Sequence, residues 1–544
     1  MAVLADSDTR WKWGALTARR LVPDARIDGL LLRGRATPTP RQLAEVGADT
    51  AAGVESVRET SGAGFVRTAV QGEAVAAGRV RGDARVPGGE GELAGAGGRV
   101  GAGGRAGAVR DADAPAGDAP AGEAPARRGY DLVVLACVGG AVQAMLHGLA
   151  HAADAADTAH ASEAAYAAGA AARPGGGGGA ARGGSARRVR RPVVVTGYVG
   201  VVYEKLADGL LLRHGADLVL ANSRYDAERF RSVYEGVGAD PGAVAEVALP
   251  FLGGARYQPP GGARPFTVVF AAQPSVPAGR ADRRYLLRRA AEHARTHPER
   301  EVLVKLRSRP GEHTTHVEEQ PYQRLAARLP DGLPANCRLV YGNMGELLDR
   351  TDLLVTVSST AALESLHRGV PTAVLTDLGV REVLGNHHFL GSGCLASWDE
   401  LDAGRLPEPD PEWTARHGVH PVGAGGEDGD GAGTYPSYER AFDAARERVA
   451  DLLARDRLPL PAPYYGPATA PGYLPGILAR YGFDARGAPL PHAPGAQEHG
   501  SESGSGVRRA VAGAVRGAVR DAARGAYRHG VQRVAPLIRR LGEL

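Results

Sequence analysis

Lysine is almost absent from this chain. Lys12, Lys205 and Lys305 are the only three, although lysine and arginine together number 65 among 544 residues. With Ala, Gly, Val and Pro in excess, this pattern reflects a GC-rich codon bias, so an arginine here says little about phosphate binding and a lysine says more. Cysteine is equally scarce: Cys137, Cys337 and Cys394 stand alone, which excludes a disulfide framework and any Cys-based metal site and points to a reducing cytoplasm. The opening "MAVLADSDTRWKWGAL" has neither a basic n-region nor an apolar h-region, so no signal peptide is expected. The longest apolar run, "LVVLACVGGAVQAML" from Leu132 to Leu146, is too short to cross a bilayer and reads as a buried strand, a Gly turn and a helix start. A formal net charge of +4 gives no footprint for nucleic acid, and no basic patch interleaved with aromatics occurs before the tail. Dinucleotide fingerprints, P-loops, nucleophile elbows and kinase motifs are all missing.

What is abundant is Gly, at 77 residues, and Pro, at 37. Much of both falls in low-complexity stretches at about 51–129 and at 173–188, which have too few large apolar side chains to bury and are expected to be disordered inserts. Between them the pattern is α/β. "AVLA", "RIDGLLLRG", "YDLVVLACV", "RPVVVTG" and "ADLVLANS" read as strands separated by helical segments, and a second series begins near Pro265 with "FTVVFAAQPS". Near-continuous apolar strands alternating with helices predict two Rossmann-like domains with parallel sheets, residues 1–255 and 265–490. A linker at 491–506 leads to a tail, 507–544. There Arg516, Arg520, Arg524 and Arg528 share one helical face, opposite Val511, Val515 and Val519. Such a basic amphipathic helix suits either peripheral contact with an anionic membrane or packing on its own domain, and Gly513, Gly517 and Gly525 weaken it.

Three places carry candidate chemistry. In "VSSTAALESLHRGVPTAVL" a strand delivers Ser358, Ser359 and Thr360 to a helix start, where unpaired backbone N–H groups attract an anion. Glu364 follows one turn later, placed to accept from ribose hydroxyls. Helix capping explains the same residues, with Gly369 as the C-terminal cap. In "VLVKLRSRPGEH" a strand ends in Lys305, Arg307 and Arg309, which alternation puts on one side as a candidate diphosphate clamp; solvated charges at a strand exit are the simpler alternative. Asp6 and Asp8 end the first strand of the first half, and either could serve as general base or merely cap the following helix. His313 and His316 lack a third ligand at defined spacing, so they suggest a pocket lining rather than a metal site.

Taken together, two Rossmann-like halves with "SSTAALESLHRGVPTAVL" late in the second resemble the GT-B fold of nucleotide-sugar-dependent glycosyltransferases. More narrowly, "VLADSDTRWKWG", "ADLVLANSRYDAERF" and "VLVKLRSRPGEHTTH" resemble an uncharacterised family of glycosyltransferases from high-GC bacteria. The likeness covers residues 1–50, 130–255 and 265–400. It implies a nucleotide-sugar donor held by the second half, through Ser359, Thr360, the Ala361 amide and Glu364. It also implies cationic side chains in place of a metal, no cofactor, and an unnamed cell-envelope or metabolite acceptor. Departures are visible. The E-x7-E pair of retaining enzymes is absent, since Thr372 stands eight residues after Glu364. Arg309-Pro310 also replaces the His-Pro of capsule and teichoic-acid polymerases. A non-hydrolysing sugar-nucleotide epimerase and an inert sugar-nucleotide- or polysaccharide-binding protein share the architecture and remain alternatives.

Overall fold

The computed structural model describes residues 1–34, 36–45, 53–72, 129–171, 190–201, 206–262, 264–309, 312, 318, 320–422 and 437–491. Met1–Leu490 forms one compact unit, and of the second, Pro491–Leu544, only Pro491 is among the described residues. The expectations for the 173–188 insert, the linker, the amphipathic tail, His313 and His316 therefore lie outside the described residues.

In the first half the strands are β1 (Ala2–Ala5), β2 (Ile27–Leu32), β3 (Val54–Thr60), β4 (Leu132–Ala136), β5 (Val193–Gly197), β6 (Leu218–Ala221) and β7 (Val244–Glu246). All pair in parallel, in the order β3-β2-β1-β4-β5-β6-β7. The second half contributes β8 (Phe266–Ala271), β9 (Arg300–Lys305), β10 (Cys337–Val340), β11 (Leu353–Thr356), β12 (Thr372–Leu375) and β13 (Leu395–Ala396), again all parallel, in the order β10-β9-β8-β11-β12-β13. The expected pair of Rossmann-like α/β sheets is what the chain builds.

Helices α1 (Asp8–Leu21), α2 (Pro40–Glu45), α3 (Gly62–Gln71), α4 (Gly139–Ala171), α5 (Leu206–Leu211) and α6 (Arg224–Gly236) belong to the first half. The second half has α7 (Arg280–Thr296), α8 (Tyr322–Ala326), α9 (Met344–Leu348), α10 (Ala361–Arg368), α11 (Trp398–Asp402) and α12 (Pro411–Arg416). The chain closes with α13 (Asp443–Ala454) and α14 (Leu474–Arg480). Both faces of each sheet are covered, which is why the strands read as unbroken apolar runs. Ala2 and Leu4 join one core cluster and Val3 and Ala5 the other. In the second sheet Val268 and Phe270 face away from Val269 and Ala271 in the same way.

Two boundary expectations need correction. Composition predicts disorder from about residue 51, yet β3 and α3 occupy Val54–Gln71. β3 is an edge strand whose alternate residues are half-buried, paired with β2. α3 buries Phe65, Val66, Ala69 and Val70. Averaging composition over the whole insert hid this small amphipathic unit; residues 73–128 lie outside the described residues. The segment after about 437, assigned by chain order to the second domain, packs on the first. Phe442, Ala445 and Val449 complete the core around Trp13 and Val195, while Leu474, Leu478 and Phe483 join Met145, Leu146 and Val66. Arg190 anchors this return by donating to the Leu453 carbonyl at 2.7 Å.

Each strand order reverses direction once, between β1 and β4 in the first sheet and between β8 and β11 in the second. Crevices at the carboxyl ends of such switch points are where open α/β sheets hold ligands. The residues there are Asp6–Asp8 and Cys137–Gly140 in one half, and Gln273 and Ser358–Thr360 in the other.

Candidate active site

Where the two switch points approach, charged side chains from opposite halves pair across the cleft. Ser7 caps α1, its Oγ accepting from the Arg10 amide at 3.4 Å, so Asp8 opens the first turn. Asp8 Oδ1 accepts from Arg307 Nη2 at 2.9 Å, and Arg307 also donates to the Thr9 hydroxyl. Burial alone would raise the Asp8 carboxyl, but the Arg307 charge and the hydrogen bonds from Arg307 and Thr9 hold it below the usual carboxylate value. One turn along the same helix, Lys12 Nζ lies 3.8 Å from Glu364 Oε2 and 5.0 Å from the Phe251 ring centre. A third pair joins Arg41, on α2, to Glu312. Gly200 meets Thr360 so closely that a Cβ there would stand 2.6 Å from the Thr360 hydroxyl oxygen. That close approach leaves room only for a glycine at position 200.

Several residues grouped by the sequence have separate roles. Asp6 is held inside the first half: Oδ2 accepts from the Val138 amide at 2.9 Å and Oδ1 from Arg10 at 3.0 Å, tying the end of β1 to the start of α4. Of the two carboxylates, Asp8 is the one that meets the second half. Ser358 is buried, donates to the Leu384 carbonyl at 2.6 Å, and its amide donates to Gln273 at 2.9 Å, so its hydroxyl is spent inside the second half. The Ala361 amide donates to Ser359 Oγ at 3.2 Å, and the amides of Ala362 and Leu363 bond to the carbonyls of Ser359 and Thr360. Capping therefore accounts for Ser359 and the Ala361 amide as they stand, and a phosphate would have to displace the serine.

The strand-end cations do not form the clamp that alternation suggested. Lys305 is buried at the end of β9, where Nζ donates to the Leu306 carbonyl at 2.8 Å. Burial pushes it down to about 8, reinforced by Arg307 and opposed by Glu45 and Asp8. Arg309 turns aside, its guanidinium 5.4 Å from the Tyr341 ring centre. Only Arg307 reaches across. Strand alternation fixes sides only while the chain remains extended, and β9 ends at Lys305.

Sequence reasoning passed over Lys12 and Gln273. Lys12 carried two signals: it is one of three lysines, and it lies four residues from Asp8, on the same helical face. Gln273 carried none, because its partner Ser358 is 85 residues away.

One grouping of metal-ligand type occurs among the described residues, His293, His297 and Asp402, with ligand atoms within 4.8 Å of one another. It sits at the carboxyl ends of α7 and α11, on the side of the sheet away from the cleft. Its groups already serve one another: His293 Nδ1 lies 2.5 Å from Asp402 Oδ1, and Asp402 Oδ2 accepts from Arg289 at 3.0 Å. The cluster ties α11 to α7. No described helix is long and apolar enough to cross a membrane.

The profile of a family described as "Putative glycosyltransferase (DUF6716)" matches residues 1–78 and 100–428. No curated protein matches the sequence. Similar solved structures include the S. aureus MnaA–UDP complex, at 9% identity and TM-score 0.41, covering 84% of this chain and 98% of that one. The glycotransferase of kitacinnamycin aligns at 12% identity and TM-score 0.35, covering 83% and 95%. The Neisseria meningitidis UDP-GlcNAc 2-epimerase bound to UDP-GlcNAc aligns at 12% and 0.30, covering 47% and 70%.

Proposed function

The chain belongs to this family of glycosyltransferases, and we propose that it moves a sugar from a nucleotide-sugar donor to an acceptor hydroxyl in the cleft between its two α/β halves. The observation that supports this reading is the pair of ion bridges on one face of α1. Asp8 and Lys12 come from the first half, and each is matched by an opposite charge, Arg307 and Glu364, from the second. A nucleoside diphosphate competes for the same partners. Its phosphates draw Arg307, and its ribose hydroxyls donate to Glu364. Asp8, released from Arg307, then takes the proton from the acceptor hydroxyl as that oxygen attacks the anomeric carbon and the bond to the diphosphate breaks. Charge on the leaving group falls on Arg307, the strand-end cation that reaches the cleft. That cation supplies part of what a divalent metal otherwise would, and we expect activity to survive chelation by EDTA.

A thermal-shift screen of the full chain against nucleoside diphosphates tests the binding half of this scheme. At 100 times its Kd a ligand stabilises by about 2.7 kcal/mol, which a melting curve resolves readily. Glu364→Gln should weaken binding about tenfold, as expected for loss of a hydrogen bond to a charged acceptor worth about 1.5–3 kcal/mol. Ser359→Ala should move the response by less, since that hydroxyl caps the helix. If no nucleotide raises the melting temperature, or Glu364→Gln responds like wild type, the reading fails.

Lys305 adds a pH signature. Burial holds its ammonium near a titration point of about 8, so the protonated form dominates below that pH and is lost above it. The unfolded chain keeps that proton to higher pH, so stability should rise between about pH 8 and 10, and Lys305→Met should remove the rise. A melting temperature with the same pH profile in the variant would show that the buried ammonium does not govern it.

A further inference from the structure

A second concavity lies along the cleft, one strand further out in each sheet than the contact between Gly200 and Thr360. Its volume is about 370 Å³, at the lower end of the roughly 300–1,000 Å³ typical of small-molecule sites. Tyr225 and Arg229, on α6 after β6, form the wall from the first half; His388 and Leu390, after β12, and Trp413 and His417 form the wall from the second. Both walls thus rise from the carboxyl ends of their sheets, as the ion-paired site does.

We propose that this cavity is the subsite for an uncharged saccharide ring of the acceptor. The inference rests on the transferase reading for the word acceptor, but the recognition chemistry stands on the cavity itself. Its walls are rings held against one another: Trp413 stacks on His417 at 3.9 Å and 12°, and Tyr225 lies 4.6 Å from His417. His388 meets both Trp413 and His417 edge-on, at 5.8 and 4.9 Å. Trp413 is enclosed between Phe389 and His417, so the apolar surface open to the C–H face of a pyranose comes from the half-buried Tyr225 and from Leu390, 58% exposed.

Polar recognition comes from imidazoles kept neutral. Burial pushes His388 down to about 3 and His417 to about 4, so neither carries charge at physiological pH. His417 Nδ1 donates to the Trp413 carbonyl at 2.7 Å, which leaves its Nε2 to accept from a hydroxyl. The formal charges at the rim balance, Arg229 and Arg416 against Asp410 and Glu412, and Arg416 is already bound to Glu228 at 2.9 Å. A site for a phosphate or a sugar acid would carry surplus positive charge, and this one has none. The position favours the acceptor over the donor. α10, which opens at the proposed donor site, follows β11 and the cavity wall follows β12, so a ring held here lies beside the diphosphate rather than on it.

The test uses saturation-transfer difference NMR on the full chain with the methyl glycosides of glucose, galactose, mannose and N-acetylglucosamine. At least one should receive saturation, with an affinity that falls fivefold or more in Tyr225→Ala and recovers in Tyr225→Phe. The signal should persist when a saturating nucleoside diphosphate is present. Absence of transfer to all four glycosides overturns the inference, as does binding that survives Tyr225→Ala. Displacement of the glycoside by nucleotide also overturns it, because the cavity would then belong to the donor. Thermal shift by nucleotide, measured on the same Tyr225→Ala sample, reports folding and keeps the two claims apart. Glycoside binding without any nucleotide response would sink the transferase reading and leave the saccharide site standing.

Discussion

Asp8→Asn should lower the rate of sugar transfer by about 10²–10⁴-fold while leaving nucleotide affinity close to wild type, the loss expected when a positioned general base is removed. The side chain keeps its shape and can still meet Arg307, so a melting curve should separate the catalytic effect from unfolding. The companion change, Arg307→Met, has a different signature. Arg307 holds the Asp8 carboxyl low at 2.9 Å against the burial that would raise it. Without Arg307, burial prevails, and the acid limb of the pH–rate profile should move to higher pH. Sign fixes the direction: a carboxylate with a depressed titration point stays ionised as pH falls, and one released from its cation protonates sooner. Donor KM should rise in the same variant, because the proposed phosphate partner is gone. If Asp8→Asn transfers sugar at the wild-type rate, Asp8 is not the base. If Arg307→Met leaves the acid limb where it was, the pair does not control the base.

Phe483→Ala should cost about 3–5 kcal/mol, the range for emptying a buried aromatic site. That is a large part of the roughly 5–15 kcal/mol that holds a domain folded. Phe483 is fully buried, and its ring lies over Gly148 of α4 so closely that a Cβ there would be 2.8 Å from the nearest ring carbon. It belongs to the core that includes Met145 and Val66, so a residue near the end of the described chain stabilises the half that starts the chain. Urea unfolding should show the lowered midpoint. Truncation after residue 437 should be worse still, since it also uncovers the face that Phe442, Ala445 and Val449 close. A truncated chain that unfolds at the full-length midpoint would show that the return segment contributes nothing to the first core.

These two sites mark how far the sequence reaches. "LVVLA", "VVVTG", "LVLA" and "LLVT" identify themselves because a strand buried on both faces must be apolar throughout, and spacing them with helices leaves a parallel sheet as the solution. Gly369 at the end of α10 is equally local: it sits at φ 76°, where only a residue without a side chain is relaxed. β3 was harder to see, because an edge strand is half-buried and its polar alternation vanishes in a Gly/Ala-rich average.

The sequence by itself determined the α/β class, the two halves, the helix starts and the short list of charged residues at strand ends. Tertiary structure decided which of those residues meet. Asp8 and Arg307 are 299 positions apart, and no local pattern pairs them. Lys305 and Arg309, neighbours in sequence, part because β9 stops between them. The return of α13 and α14 to the first sheet is of the same kind. Local sequence sets backbone preference and the polarity of a face, whereas partner choice depends on where long-range burial carries each face.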